Sequence, residues 1–295
     1  MKTIAVTGAT GFVGKRLMLY NIEKFQLKPI NLRNAPVSGI NLQGMDVVLH
    51  LAGKAHQMAP IDDKVYFDVN YELTKQLADK ARADGVKQFI YISSTKVYGD
   101  DIQEMLSETS PCMPTDAYGS SKLKAEQYLQ SLQSDVFKVA IIRPPVVYGP
   151  GVKGNMIRLL QLASKKIPLP FARIDNARSM VFIDNLVELI NAVIDKEATG
   201  IFIAGDDFPI STSSLLLLIK ASLGNTSRLI SVPVFARTII KRLKPALYIR
   251  LFGSFVVSNA DTNKRLHFKP PYSTAFGVEQ MVKWFKENAY PSAKN

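Results

Sequence analysis

The chain has 295 residues, of which 47% are apolar and 21% are charged, and its formal net charge is +12. This composition is that of an ordinary globular protein, and no window approaches the roughly 20 consecutive apolar residues of a membrane span. Its single cysteine, Cys112, excludes an internal disulfide and fits a reducing compartment. We therefore expect a cytoplasmic protein of one large domain or two closely joined ones.

The N-terminal segment Thr3–Gly14 predicts a buried strand that leads into a glycine-rich turn and then a helix. Gly8 permits the tight turn, Gly11 lets the backbone approach a pyrophosphate, and Gly14 lets the helix pack closely on the strand. The helix N-terminus adds free N–H groups for the phosphates. The segment thus predicts a dinucleotide site. Its cofactor contacts are predicted to be Gly8, Thr10, Gly11, Phe12 and Val13.

Predicted strands and helices alternate through the first two-thirds of the chain. The later strands are predicted at residues 28–32, 46–53, 89–92, 139–142, 180–183 and 201–204, and the main helices at 15–25, 73–85, 118–132 and 184–194. This alternation predicts an α/β fold of the Rossmann type, with a doubly wound parallel sheet and helices on both faces. Ligands bind such sheets at the carboxyl ends of the strands.

The pattern loosens after residue 150, where short helices are separated by proline and glycine. We therefore predict that residues 1–150, together with 180–205, form the dinucleotide-binding domain. A smaller substrate-binding cap would comprise residues 151–179 and 206–295.

Tyr118 and Lys122 lie four residues apart and share one face of a predicted helix. A free tyrosine has a pKa near ~10, which is too high for proton transfer at neutral pH. A neighbouring ammonium favours the phenolate, so the pair can act as a general acid and base. Ser94, at the end of the preceding strand, is placed to hold the substrate oxygen. Ser94, Tyr118 and Lys122 are the predicted catalytic residues.

These motifs, in this order, resemble the extended short-chain dehydrogenases/reductases of the nucleotide-sugar epimerase/dehydratase/reductase group, over nearly the whole length. The matching segments are Thr7–Gly14, His50–Gly53, Val69–Asn70, Ser93–Gly99, Tyr118–Lys122 and Arg143–Gly151. The resemblance implies oxidation or reduction of a sugar carbon, usually C4, with bound NAD or NADP. It also implies cofactor contacts by Leu51, Ala52, Gly53, Asn70, Tyr118, Lys122, Pro145 and Val147.

The resemblance further implies a nucleotide-sugar substrate, contacted by Ser94, Thr95, Asn155 and Arg178. The Arg178 guanidinium would grip the nucleotide diphosphate, because it can fork onto phosphate oxygens. His56 and Met58 are further substrate contacts or simple packing residues. The resemblance suggests a homodimer, and no metal site and no nucleic-acid partner are predicted.

Two departures from the family pattern bear on the reaction. Thr95 and Lys96 stand where 4,6-dehydratases carry an Asp-Glu pair, which argues against elimination. Arg33 stands at the end of the second strand, where NAD-specific members carry an acid that binds the ribose hydroxyls. Together with Arg16 or Lys15 it would accept a 2′-phosphate, so NADP(H) is favoured and NAD(H) stays open. The segment between Arg33 and Asp46 is also too short for the family's additional strand and helix.

The basic residue Arg33 favours a net reductase, because such an enzyme draws on NADPH. The segments His50–Met58, Gly149–Asn155 and Ile174–Ser179 resemble a bacterial subgroup of the family, which implies NAD(P)H-dependent reduction of a UDP-4-keto-6-deoxy-N-acetylhexosamine. The alternative is a UDP-hexose or UDP-N-acetylhexosamine 4-epimerase with tightly held NAD, and a third class is a non-catalytic nucleotide sensor. Residues 233–250 predict a basic amphipathic helix. A solvated helix face is the favoured interpretation, and weak membrane association is the alternative.

Overall fold

A six-stranded parallel sheet lies at the centre of the computed structural model, which describes residues 1–33, 36–55, 61–100, 104–231 and 233–288. The strands of the chain are β1 (Thr3–Thr7), β2 (Gln26–Ile30), β3 (Val47–His50), β4 (Gln88–Ile92), β5 (Lys138–Arg143), β6 (Val146–Tyr148), β7 (Leu169–Ala172), β8 (Met180–Phe182), β9 (Gly200–Ile203) and β10 (Leu229–Ser231).

Eleven α-helices are found in the described residues, and several of them cover the sheet. They are α1 (Phe12–Tyr20), α2 (Asp63–Phe67), α3 (Leu73–Ala83), α4 (Ala117–Ser131), α5 (Asn155–Ser164), α6 (Ile183–Asp195), α7 (Thr212–Leu223), α8 (Val234–Leu243), α9 (Pro245–Phe252), α10 (Ala260–Leu266) and α11 (Thr274–Asn288). None of them combines the length and apolarity needed to span a bilayer.

The strand order of the main sheet is β2-β1-β3-β4-β5-β9, with every neighbouring pair parallel. The predicted doubly wound α/β fold is confirmed. The chain moves outward from β1 to β2 and then returns to β3 on the other side of β1. This reversal makes the carboxyl ends of β1 and β3 a topological switch point, where doubly wound sheets bind their ligands.

Both faces of the sheet are covered by helices. Because side chains alternate along each buried strand, each such strand contributes apolar side chains to both faces. On one face, Ile4 and Val6 pack in a cluster with residues of α1 and α6. On the other, Ala5 and Val48 pack with residues of α3 and α4. Burial on both faces explains why these strands are almost continuously apolar in sequence.

The C-terminal part of the chain has its own apolar cluster, built from α5, α7, α11 and the short strands around them. Two two-stranded sheets lie outside the main sheet, β7 with β10 and β6 with β8. Of the predicted strands at 180–183 and 201–204, the first pairs with β6 and the second, as β9, joins the main sheet beside β5. The division of the chain into two domains stays a prediction.

Two segments differ from their predicted bounds for local reasons. Helix α1 begins at Phe12 rather than Lys15 because Gly11 is its N-cap, and it ends at Tyr20, before Asn21. The predicted basic helix at 233–250 is two helices, because Pro245 begins α9 directly after Lys244. In the short segment after Arg33, the described residues 36–45 form one 3-10 turn and no strand, as expected from its length.

Candidate active site

The glycine-rich turn after β1 lies at the switch point and packs closely against the neighbouring backbone. Gly8 has a φ of +69°, and a Cβ atom there would lie 2.6 Å from the backbone nitrogen of Ala52. A Cβ atom on Gly14 would lie 2.2 Å from the carbonyl oxygen of Gly8, so α1 packs against the turn at a distance only glycine allows. The turn closes with a hydrogen bond of 2.9 Å from the Gly11 N–H to the Gly8 carbonyl.

The N-terminus of α1 lies beside this turn, with an accessible backbone. Thr10 and Gly11 are exposed, and Phe12 and Val13 are half-buried. No acidic side chain occupies the first turn of α1. Its free N–H groups and the positive end of its dipole therefore fit a pyrophosphate.

The loop after β3 forms the opposite wall of the crevice and is held by side chains from below. The Ala52 N–H donates to the Thr7 hydroxyl at 3.2 Å, and the Leu51 N–H donates to the Thr7 carbonyl at 3.3 Å. Asn70 lies buried under the same loop, where its Oδ1 accepts from the Lys54 N–H at 2.8 Å. Gly53 is exposed at the top of the loop.

Asn70 is fully engaged with protein groups, because its Nδ2 donates to the Lys54 carbonyl and to the Ser121 hydroxyl, each at 3.1 Å. Asn70 thus fixes the loop after β3 to the first turns of α4, and a cofactor contact by Asn70 stays a prediction. A Cβ atom on Gly53 would come within 3.0 Å of Asn70 Oδ1 and 3.2 Å of Lys122 Nζ. The loop therefore passes directly over the predicted catalytic lysine.

Sequence reasoning missed a buried imidazole that ties this region together. His50 Nδ1 is 2.7 Å from the Thr7 hydroxyl, and its Nε2 is 3.0 Å from the Thr74 hydroxyl. Its ring stacks on Tyr91 with the centroids 5.7 Å apart. Burial, reinforced by the charge of Lys122, lowers the pKa of His50 to about 3. The neutral ring therefore links β1, β3 and α3 under the crevice.

The three predicted catalytic residues converge at the end of β4. The Ser94 side chain lies close enough to Tyr118 to oppose the rise of its pKa. Tyr118 is half-buried in the first turn of α4, and its ring meets Tyr66 edge-on with the centroids 6.0 Å apart. Lys122 is buried one turn further along, where its ammonium donates to the Ile92 carbonyl at 2.9 Å. A hydroxyl, a phenol and an ammonium therefore line one corner of the crevice.

The protein groups around Tyr118 raise its pKa rather than lower it. Burial raises the pKa of Tyr118 to about 12, because it costs the phenolate more than the hydrogen bond with Ser94 returns. Asp116, the N-cap of α4, adds to the rise through its negative charge. Burial also lowers the pKa of Lys122 to about 8, against the opposing charge of Glu126. Both shifts are typical of groups withdrawn from water in an active site.

A buried ion pair beneath the hydroxyls was also missed. Arg143 and Glu126 are almost inaccessible, and Arg143 Nη2 lies 2.5 Å from Glu126 Oε2. Glu126 also accepts from the Ser93 hydroxyl, and Arg143 donates to the Tyr98 hydroxyl at 2.8 Å. The pair therefore joins α4, β5 and the end of β4 behind Ser94. The sequence offered one signal for Glu126. Tyr118, Lys122 and Glu126 follow one another at a spacing of four residues, which places Glu126 on the same face of α4 as the two predicted catalytic residues.

Arg178 lies in the C-terminal part without a carboxylate hydrogen-bonded to it in the described residues. Its Nη1 donates to the carbonyls of Gly253 at 3.0 Å and Ile249 at 3.3 Å, near the end of α9. Burial lowers the pKa of Arg178, while the charge of Asp100 opposes the shift. A largely buried guanidinium bonded to carbonyls can still bind an anion through its remaining N–H groups.

The remaining predicted contact residues differ in their burial. Thr95 is buried, with its N–H donating to the Pro144 carbonyl at 3.0 Å, and Pro145 is buried beside it in sequence. Val147 is half-buried in β6, and Asn155 is exposed as the first residue of α5. His56 and Met58 lie outside the described residues.

Of the basic residues suggested around a 2′-phosphate, Arg33 is exposed and Arg16 is paired with a carboxylate. Arg33 is exposed at the end of β2, where its N–H donates to Asn31 Oδ1 at 2.9 Å. Arg16 is instead paired with Asp184 of α6, through contacts of 2.5 and 2.7 Å. The Arg16 guanidinium is therefore already bound by a carboxylate, and a 2′-phosphate contact by Arg33 stays a prediction.

The comparison with protein families matches residues 26–205 to the profile described as the NAD dependent epimerase/dehydratase family. The chain belongs to this family. The epimerase/dehydratase relatives include a UDP-glucose 4-epimerase from Vibrio cholerae, 36% identical over 96% of this chain and 95% of that protein. They also include an N-acetyl-α-D-glucosaminyl-diphospho-ditrans,octacis-undecaprenol 4-epimerase from Escherichia coli O157:H7, 31% identical over 67% of this chain and 64% of that protein.

The fold of this epimerase/dehydratase is also shared with solved structures. The UDP-glucuronic acid 4-epimerase from Bacillus cereus, solved with UDP-glucuronic acid and NAD, superposes with a TM-score of 0.78. The two chains are 21% identical, and the match covers 97% of this chain and 99% of that one. The resemblance inferred from the motifs is confirmed. Within the described residues, no group of three or more His, Cys, Asp or Glu side chains could hold a metal ion.

Proposed function

We propose that this protein is a 4-epimerase of a UDP-linked hexose or N-acetylhexosamine that works with tightly held NAD. The observation that carries the proposal is the convergence of Ser94, Tyr118 and the buried Lys122 at the switch point of a chain 36% identical to a UDP-glucose 4-epimerase. This proposal replaces the net 4-keto reduction expected from the sequence, because the relatives support epimerisation better than they support reduction.

The proton movements follow from the positions of two hydroxyls. Tyr118 Oη takes the proton from the C4 hydroxyl of the sugar as that carbon is oxidised, and returns it after the 4-keto sugar has presented its other face. Ser94, whose side chain lies beside Tyr118, holds the same oxygen through both steps. When bound, NAD supplies a ring that reversibly accepts a hydride and whose positive charge lowers the Tyr118 pKa.

Lys122 has a separate task in this proposal. Its ammonium is fixed by the Ile92 carbonyl and lies 4.5 Å from the centre of the Tyr91 ring. It has three N–H donors, so it can also bind a ribose hydroxyl of the cofactor under the Gly53 loop. With a pKa of about 8 it is mostly charged at neutral pH, and its charge favours the phenolate of Tyr118.

Substrate binding is proposed to rest on the C-terminal part of the chain. Arg178 would bind the diphosphate, and Asn155 at the start of α5 would contact the sugar nucleotide. Residues 151–179 and 206–295 would then form the cap over residues 1–150 and 180–205. A homodimer is the proposed assembly.

The test starts from the purified protein without added cofactor. Bound NAD is released by denaturation and quantified, and the native protein is incubated with UDP-glucose and UDP-N-acetylglucosamine. We expect about one NAD per chain and the formation of the C4 epimer, detected by NMR. A protein that lacks NAD and turns over only with stoichiometric consumption of added NADPH would disprove epimerisation.

One observation favours 4-keto reduction as a second candidate. Arg33 is exposed at the end of β2, where a guanidinium can meet a 2′-phosphate. The substrate that tests it is UDP-4-keto-6-deoxy-N-acetylglucosamine, with the loss of NADPH absorbance as the readout. Reduction that is faster with NADPH than with NADH, and that loses this preference in Arg33→Ala, would favour the reductase.

A further inference from the structure

The chain between Asp207 and Asp261 carries basic residues and no acidic ones. Over this length the sequence has no Asp or Glu, so its positive charges are not balanced locally. The basic residues of this segment are Lys220, Arg228, Arg237, Lys241, Arg242, Lys244 and Arg250. The segment includes α8 and α9, and it accounts for much of the net charge of +12. A surface of one sign attracts a partner of the other.

Helix α8 combines exposed charge with exposed apolar side chains. Ile239 and Leu243 are 52% and 74% exposed, and their i, i+4 spacing places them on one face of the helix. Lys241, Arg242 and Lys244 are exposed next to them in sequence. Apolar residues flanked by basic ones are typical of helices that lie in the interface of an anionic bilayer.

The helix pair α8–α9 is fixed to the rest of the protein. The Arg237 guanidinium lies 5.3 Å from the centre of the Phe252 ring, and its Nη2 donates to the Arg173 carbonyl at 3.4 Å. Helix α9 is in turn bonded to Arg178 through the carbonyl of Ile249. The exposed face of α8 is therefore held in a set orientation relative to the candidate substrate site.

The positive surface continues from Arg173 into a cavity of about 550 Å³ between α7, β7 and β10. Arg173, Lys220 and Arg228 line this cavity, and its lining includes no Asp or Glu. Lys220 is only 2% exposed, and its ammonium donates to the Ser227 hydroxyl. Arg173 and Arg228 are exposed, so they are the charges of this cavity that a headgroup phosphate can reach.

We propose that α8, with the neighbouring basic cavity, docks this protein on the surface of an anionic phospholipid bilayer. The basic side chains supply electrostatic attraction, and Ile239 and Leu243 enter the boundary between headgroups and acyl chains. The exposed Ile239 and Leu243 favour a bilayer over a nucleic acid, because binding to nucleic-acid phosphates requires no apolar side chains. This proposal is independent of the reaction that the active site catalyses.

The test uses the full chain and sedimented vesicles. We expect binding to vesicles that contain phosphatidylglycerol, none to pure phosphatidylcholine, and release when salt is raised from about 50 mM to about 500 mM. The triple variant Lys241→Gln, Arg242→Gln, Lys244→Gln should weaken binding about five-fold per charge, and so about a hundred-fold in all. Leu243→Ser should weaken it further without a change in charge.

The matched control removes the same net charge from other elements. Lys28, Lys264 and Lys283 are exposed on β2, α10 and α11, and their replacement by Gln should leave vesicle binding nearly unchanged. Both triple variants should keep the wild-type turnover of the soluble UDP-sugar, which separates this proposal from the one on function. Absence of sedimentation at low salt, an equal loss in the control variant, or displacement of the vesicles by RNA would overturn membrane docking.

Discussion

Tyr118 supplies the one atom through which both proton transfers of the proposed reaction pass. Tyr118→Phe removes this hydroxyl, so we expect turnover to fall by ~10² to 10⁴, the usual contribution of a general acid or base. The content of bound NAD should not change, because the ring keeps its place. The rate of C4 epimerisation and the NAD released on denaturation measure the two effects.

The matched control for this variant lies on the same helix. Tyr128 of α4 donates its hydroxyl to Asp79, away from the crevice. Tyr128→Phe should keep wild-type turnover. Full activity in Tyr118→Phe would falsify the assignment.

His50 predicts a specific dependence of stability on pH. Its pKa falls from an ordinary 6.5 to about 3 on folding, so below pH 6.5 the unfolded chain binds a proton that the folded chain does not. Stability is therefore lost as pH falls, by about 2 kcal/mol between pH 7.5 and pH 5 from this residue. His50→Gln should remove this part of the loss, as measured by urea unfolding at both pH values. His267→Asn changes an exposed imidazole and should keep the wild-type difference.

At the scale of elements, the Glu126–Arg143 pair joins helix α4 to strand β5 behind the catalytic hydroxyls. Arg143→Met leaves a buried carboxylate without its partner, so we expect a loss of about 3–5 kcal/mol in the free energy of unfolding. The double variant Glu126→Gln, Arg143→Met should recover a large part of this loss, because no charge is then left buried. Equal stabilities of the single and double variants would contradict this account.

The packing of helix α1 against the turn after β1 predicts a second effect at this scale. Gly14→Ala places a methyl group where it collides with the Gly8 carbonyl, so we expect a loss of about 1–3 kcal/mol and of bound NAD. Gly39→Ala is the control, because a Cβ atom there has no neighbour within 4 Å. NAD retention in Gly14→Ala equal to that of Gly39→Ala would argue against the dinucleotide cradle.

For the whole molecule, the cofactor should act as a stabilising ligand that spans β1, β3 and α4. Protein stripped of cofactor should melt at a lower temperature, and adding NAD at about 100 times its Kd should restore about 2.7 kcal/mol. NAD should stabilise the protein more than NADP if it is the resident cofactor. The melting temperature with each dinucleotide decides this, and a larger effect of NADP that vanishes in Arg33→Ala would favour the reductase instead.

The main features of the fold could be predicted because each has a local sequence signal. The apolar run Thr3–Thr7 and the glycines after it specify a buried strand and a sharp turn, whatever else the chain contains. The bounds of the helices were harder to predict. Gly11 sets the start of α1 as its N-cap, and Pro245 separates α9 from α8 because it has no backbone N–H to donate. The contacts of Arg16 with Asp184 were beyond prediction because they join residues 168 positions apart.

The sequence by itself determined the α/β alternation, the glycine cradle and the spacing of Ser94, Tyr118 and Lys122, since strand and helix periods and turn chemistry are local properties. Only the tertiary structure decided which groups lose their water. It raised the pKa of Tyr118, kept His50 neutral and paired Glu126 with Arg143. These outcomes depend on burial by distant segments, and desolvation is a property of the packed molecule rather than of any short stretch of sequence.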